Sequence, residues 1–149
     1  FFGATAAARI PELERALAQA ARRTPPFAMR FGGLGGFGDS RHPRVLWLGV
    51  ESAGLHGLHD HVEAALREAG WEPEPRPFSP HLTLGRMKGL KDARRFGDVL
   101  ARHREWLAPE QIAQELILYE SRPGERGTEY VPLGRHPLSA PESDRLFPM

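Results

Sequence analysis

The chain has 149 residues, 40% hydrophobic and 26% charged, which is the range of a soluble globular domain, a single one of one or two lobes. That length can bury a core without staples, and no run approaches the roughly 18 apolar residues a membrane helix needs. The absence of cysteine excludes a disulfide scaffold, a thiolate zinc site and a cysteine nucleophile. Lys+Arg 20 against Asp+Glu 19 gives a formal charge of +1, so no global field draws the chain to nucleic acid or membrane, and anion binding must be local. Lys88 and Lys91 are the only lysines. Arginine suits bidentate phosphate recognition, but abundant alanine, glycine and proline make coding bias the simpler explanation. The sequence opens on Phe1-Phe2-Gly3 with no methionine and no signal-peptide pattern. It reads as the end of a strand already under way, with residues expected upstream.

Ile10 to Arg22 has helical spacing, with Ile10, Leu13 and Leu17 on one side, Pro11 in the first turn and Thr24-Pro25-Pro26 as the stop. Phe27 to Phe31 alternates as a half-buried strand. The following Gly32-Gly33-Leu34-Gly35-Gly36-Phe37-Gly38 lacks the Lys-Ser/Thr ending of a phosphate loop. It is read as a twisted strand extension or bulged hairpin. Arg44 to Val50 is apolar on both faces, hence a central strand. Leu55 to Ala69 is a second helix closed by Gly70. Trp71 to Pro80 holds four prolines and is irregular. His81 to Met87 is a strand and Lys91 to Arg104 a helix with Phe96, Val99 and Leu100 as its stripe. Gln114 to Glu120 and Thr128 to Leu133 are two further strands, joined by a turn over Arg122 to Gly127. The tail from His136 is expected to be loosely held, above all residues 139–149. Interleaved helices and strands imply an α/β or α+β fold.

Seven histidines are candidates for proton or metal chemistry. His56 and His59 are one helical turn apart, but His61 lies about 200° round the helix from His59, and Asp60 and Glu63 also point elsewhere. The cluster is read as the polar first turn of an amphipathic helix. His103 reads as a surface residue at a helix C-terminus. His42 and His136 each precede a proline in a loop. His81 differs. In Ser79-Pro80-His81-Leu82-Thr83-Leu84-Gly85-Arg86, alternation sets His81, Thr83 and Gly85 on one face. An imidazole and a hydroxyl then stand roughly 6.6 Å apart along the strand. Leu82 and Leu84 are expected to anchor it in the core, and Arg86 to point away from His81. The imidazole can move a proton and the hydroxyl can bind a phosphoryl oxygen. Alone, the pair fits equally a cavity-facing site and an open sheet face with a histidine in water.

Pro80-His81-Leu82-Thr83-Leu84-Gly85-Arg86 resembles the second H-x-T-x signature of the 2H phosphoesterases, within them the RNA 2′,3′-cyclic phosphodiesterases, also called 2′-5′ RNA ligases or LigT-like proteins. Pro25-Pro26-Phe27 with Gly32 to Gly35, Arg44 to Leu48, Leu118 to Ser121 and Gly127 to Tyr130 resemble further family segments in the same order. Phe1-Phe2-Gly3 resembles the end of the first signature, whose histidine and threonine would precede residue 1. The resemblance implies an α+β, bilobal fold with two pseudo-symmetric, mainly antiparallel sheets and outer helices flanking a central cleft. It implies hydrolysis of 2′,3′-cyclic phosphate ends to 2′-phosphates, with ATP-independent 2′-5′ ligation as the reverse. His81 would be the general base, with Thr83 and, more peripherally, Arg86 binding phosphate. No cofactor and no metal are expected. The partners are RNA ends with a 2′,3′-cyclic phosphate or 2′-5′ linkage and no membrane, for a cytoplasmic monomer. The alternatives are a non-catalytic module binding RNA ends or nucleotides, and an enzyme for a small cyclic phosphate.

Overall fold

The computed structural model describes residues 2–38, 42–87, 93–125 and 127–139. They fall into two units: unit 1 from Phe1–Phe27, His56–Pro77 and Ala113–Met149, and unit 2 from Ala28–Leu55 and Phe78–Ile112.

Unit 1 is built on helix α1, Ile10–Arg22, which follows a short 3-10 turn at Ala7–Arg9. Pro11 occupies the first turn, where its missing N–H costs nothing, and Glu12 there favours the positive end of the helix dipole. Leu13, Ala16, Leu17, Ala20 and Ala21 are buried at helical spacing. The helix stops where the Thr24 hydroxyl donates to Ala20 O at 2.9 Å, ahead of Pro25. Helix α2, Ala53–Glu68, ends with Gly70 at φ +77°, which a residue with a side chain resists. Gly70 N–H donates to Arg67 O and Trp71 N–H to Leu66 O, satisfying the last carbonyls. Trp71 folds back onto the core containing Leu66, and the Arg9 guanidinium stacks 3.8 Å from its ring centre.

Strands β5, Glu115–Gly124, and β6, Gly127–Pro137, complete unit 1 as an antiparallel pair. Leu13, Ala16 and Leu17 meet Ala65, Leu66 and Leu118 in one cluster; Ala21, Leu58 and Leu138 form a second. Both strands run further than the sequence pattern indicated, shrinking the expected Arg122 to Gly127 turn to a tight hairpin; Arg126 lies outside the described residues. The expectation of a loose tail from His136 is corrected as far as Ser139. His136 and Pro137 are strand, Leu138 is buried, and the amides of Leu138 and Ser139 donate to Gln114 O and Ala21 O. Residues 140–149 lie outside the described residues.

Unit 2 is organised by a four-stranded sheet in the order β3-β2-β1-β4, with β1 Phe27–Gly38, β2 Pro43–Glu51, β3 His81–Arg86 and β4 Gln111–Ala113. The β2–β1 and β2–β3 pairs are antiparallel. The glycine run is a bulged strand, as expected: the register shifts between Gly32 and Leu34, and Gly33 has φ +69°. β2 is interior, with Val45 and Leu48 buried. β4 was not foreseen, three residues being too short to show a period. Helix α3, Ala93–Arg102, sets Phe96 against Gly36 of β1. Residues 88–92, which include the expected helix start at Lys91, lie outside the described residues. The units together make an α+β fold with separate, mainly antiparallel sheets, as the sequence implied. Among the described residues no helix is long and apolar enough to cross a membrane.

Candidate active site

Among the described residues β3 is an edge strand, paired on one side by β2, while its side chains alternate across the sheet. Its pairing with β2 decides which faces which. Gly49 is opposite His81, Leu48 opposite Leu82, Trp47 opposite Thr83, Leu46 opposite Gly85 and Val45 opposite Arg86. The register slips by one between Trp47 and Leu46, so Leu84 is an extra residue. Opposed residues share a face. His81 and Thr83 are therefore neighbours on the face of Gly49, Trp47 and Val45. The bulge corrects two expectations of simple alternation: Arg86 joins that face, and Gly85 leaves it.

A second correction concerns the anchoring leucines. Leu82 is 48% and Leu84 51% exposed. Phe96 packs on Gly36 in β1, with β2 standing between that strand and β3. β3 is held instead by its backbone ladder, by Val50 N–H donating to Pro80 O and by Met87 N–H donating to Arg44 O.

His81, Thr83 and Arg86 are exposed, but the imidazole is not loose. Its Nδ1 lies 2.7 Å from Ser79 O. A carbonyl only accepts, so Nδ1 carries the proton and Nε2 of the neutral ring keeps its lone pair. The ring also meets Phe37 edge-on, with centroids 5.0 Å apart and planes at 85°, and lies 6.3 Å from Trp47. These aromatic neighbours were not singled out from sequence. The signal available was Trp47 facing a glycine in the adjacent strand, invisible before the register is known. An outward-facing base beside a hydroxyl and a guanidinium can take a proton and bind an anion in one place.

The other histidines have different surroundings. His61 Nδ1 is 2.8 Å from Thr24 Oγ1, whose own proton goes to Ala20 O, so the ring donates there. His59 Nδ1 is 3.5 Å from Asp60 and its Nε2 3.9 Å from Glu63, so those carboxylates reach it, contrary to the expectation that they point elsewhere. Among the described residues no group of three or more histidine and carboxylate side chains is placed to hold a metal ion. His103 follows α3, and its carbonyl accepts N–H groups from Leu34 and Trp106. His42 stands before Pro43. His136 is not in a loop but in β6, its Nε2 2.7 Å from Glu14 Oε2 though off the line of a hydrogen bond. A concavity of about 720 Å³ in unit 1, lined by Phe2, Ile10, Leu13, Ile117 and Tyr119 among others, is mainly apolar. Its carboxylate, Glu120, is engaged by Arg122 at 2.7 Å, which holds it below the usual carboxylate range.

Residues 1–125 match the model of a family described as the 2′-5′ RNA ligase superfamily. An RNA 2′,3′-cyclic phosphodiesterase of Bacillus subtilis is 41% identical over 87 residues, 58% of this chain and 48% of the relative. One from Aquifex aeolicus is 31% identical over 124 residues, 81% of this chain and 65% of the relative. The chain thus spans about half the length of the Bacillus relative and under two thirds of the Aquifex one. Among solved structures, TT0787 of Thermus thermophilus superposes with a TM-score of 0.76 at 25% identity, covering 94% of this chain and 75% of that one. Escherichia coli LigT in apo form gives 0.65 at 26% identity, covering 93% and 72%.

Proposed function

The chain belongs to the 2′-5′ RNA ligase superfamily, and on that premise we propose that it serves the hydrolysis of 2′,3′-cyclic phosphates at RNA ends to 2′-phosphates. The observation that carries this reading is the imidazole of His81, protonated at Nδ1 by its bond to Ser79 O, on one sheet face with Thr83 and Arg86. A water oxygen attacks phosphorus as His81 Nε2 takes its proton; the bond to the 3′-oxygen breaks, and that oxygen needs a proton in turn. The family pattern gives the second transfer to a first-signature histidine, a role assigned to no histidine of this sequence. The Thr83 hydroxyl donates to a phosphoryl oxygen, and the fixed charge of Arg86 offsets the negative charge that builds there. With a 5′-hydroxyl in place of water as the nucleophile, the same groups would form a 2′-5′ linkage without ATP.

The test is an oligonucleotide ending in a 2′,3′-cyclic phosphate, incubated with the protein in the presence of EDTA, with the product phosphate located by NMR. A 2′-phosphate is expected. Tight binding without turnover would replace catalysis by end recognition, and a much larger kcat/KM on a small cyclic phosphate would move the substrate away from RNA. Loss of all turnover in EDTA, restored by a divalent metal, would overturn proton transfer by imidazoles as the chemistry.

A further inference from the structure

We propose that Phe37 and Trp47 are positioning residues for His81, forming the wall that holds its imidazole with Nε2 as the proton-accepting atom. This deepens the proposed function and rests on it. All three side chains belong to unit 2. Trp47 sits on the interior strand β2, opposite Gly35 on one side and Thr83 on the other. Its indole lies on the Gly35 backbone: a Cβ there would overlap Cζ2, Cη2 and Cε2 of the ring. The indole Nε1 is buried without a hydrogen-bond partner among the described residues. The ring is thus placed by its contacts and not by its polar handle, a local cost of the kind that concentrates where function sets the geometry. Phe37 lies 5.5 Å from Trp47 and 5.0 Å from His81, closing a chain of three rings.

The two restraints on His81 are complementary. The Nδ1–H bond to Ser79 O selects the tautomer and prevents the ring from flipping. The edge-on Phe37 contact, backed by Trp47, limits rotation about the first side-chain bond. An exposed histidine on an edge strand would otherwise sample several rotamers, few of them aimed at a bound phosphate. Core formation does not account for the wall, since Phe37 is 39% exposed, whereas Val45 and Leu48 of the same unit are buried.

The experiment compares the unmodified protein with Phe37→Leu, Phe37→Tyr and Gly35→Ala, the last tilting the indole without removing it. Imidazole 15N shifts of His81 report the tautomer, and kcat and KM are read on the cyclic-phosphate oligonucleotide. Phe37→Leu and Gly35→Ala should lower kcat roughly 10-fold with KM within about two-fold, since misplacement of a reacting group acts on the chemical step. The His81 nitrogen shifts should move toward averaged-tautomer values, and Phe37→Tyr should restore both readouts. Because Phe37 is partly exposed, its leucine variant keeps the test valid where Gly35→Ala disturbs the strand. Unchanged shifts and unchanged kcat in Phe37→Leu would overturn the proposal. Shifts that move in a protein without turnover on the cyclic phosphate would remove the phosphodiesterase reading and leave the ring-holding assignment standing.

Discussion

The bulge at Leu84 makes a prediction that separates register from side-chain chemistry. Leu84 is the extra residue between Thr83, opposite Trp47, and Gly85, opposite Leu46. Deleting it joins Thr83 to Gly85 and leaves every observed pairing possible, including Arg86 with Val45. Arg86 should therefore stay on the His81 face. Leu84 is 51% exposed, so its removal forfeits about half the usual 1.5–3 kcal/mol of a buried leucine, roughly 1 kcal/mol of stability. Truncating Arg86 to alanine instead removes a charge-assisted contact to phosphate, worth about 1.5–3 kcal/mol, or roughly 10–150-fold. In steady-state assays on a cyclic-phosphate oligonucleotide, the Leu84 deletion and Leu84→Ala should keep kcat/KM within a few-fold. Arg86→Ala should lose the larger factor. Deleting Leu82 should be as harmful as losing His81, because it turns the imidazole to the other face if Arg86 keeps its partner. The reasoning fails if the Leu84 deletion loses as much activity as Arg86→Ala while remaining folded, or if Arg86→Ala is neutral.

Further outcomes follow from the same structure. Leu13, 1% exposed in the unit 1 core, should lose about 2–5 kcal/mol on truncation to alanine, read by urea unfolding. Gly70→Ala forces a side chain into a left-handed conformation and should cost about 1–2 kcal/mol. Glu74 is held down to about 2 by hydrogen bonds from Arg76. Its contribution is present above the ordinary carboxylate range and lost as pH falls toward 2. NMR titration should show Arg76→Ala returning Glu74 to the usual range, with only a small loss of stability, the pair being solvent-exposed.

Much of this was legible from local pattern. The stripe Ile10, Leu13, Leu17 marks α1 to its observed ends because burial and helical period coincide there. The glycine run was recognisable as strand from what it lacks, though its reason lies in tertiary contacts: Gly35 makes room for Trp47 and Gly33 bends the bulge. Alternation placed His81 beside Thr83 correctly up to the point where the strand departs from regularity. It failed at Arg86 because one inserted residue reverses every face beyond it and has no compositional mark. It failed for Leu82 and Leu84 because apolar character in an edge strand does not reveal which strand the covering helix packs upon. His136 was misplaced for a related reason: a proline after it suggested a loop, whereas Pro137 ends an edge-capable strand that tolerates it.

The central claim is that the Nε2 atom of His81 moves the proton in phosphodiester cleavage. It is tested most directly by kcat/KM of His81→Ala against the unmodified protein on an oligonucleotide with a 2′,3′-cyclic phosphate end. A loss of about 10²–10⁴ is expected, the share of a general acid–base group. Turnover within a few-fold of the unmodified protein would contradict it.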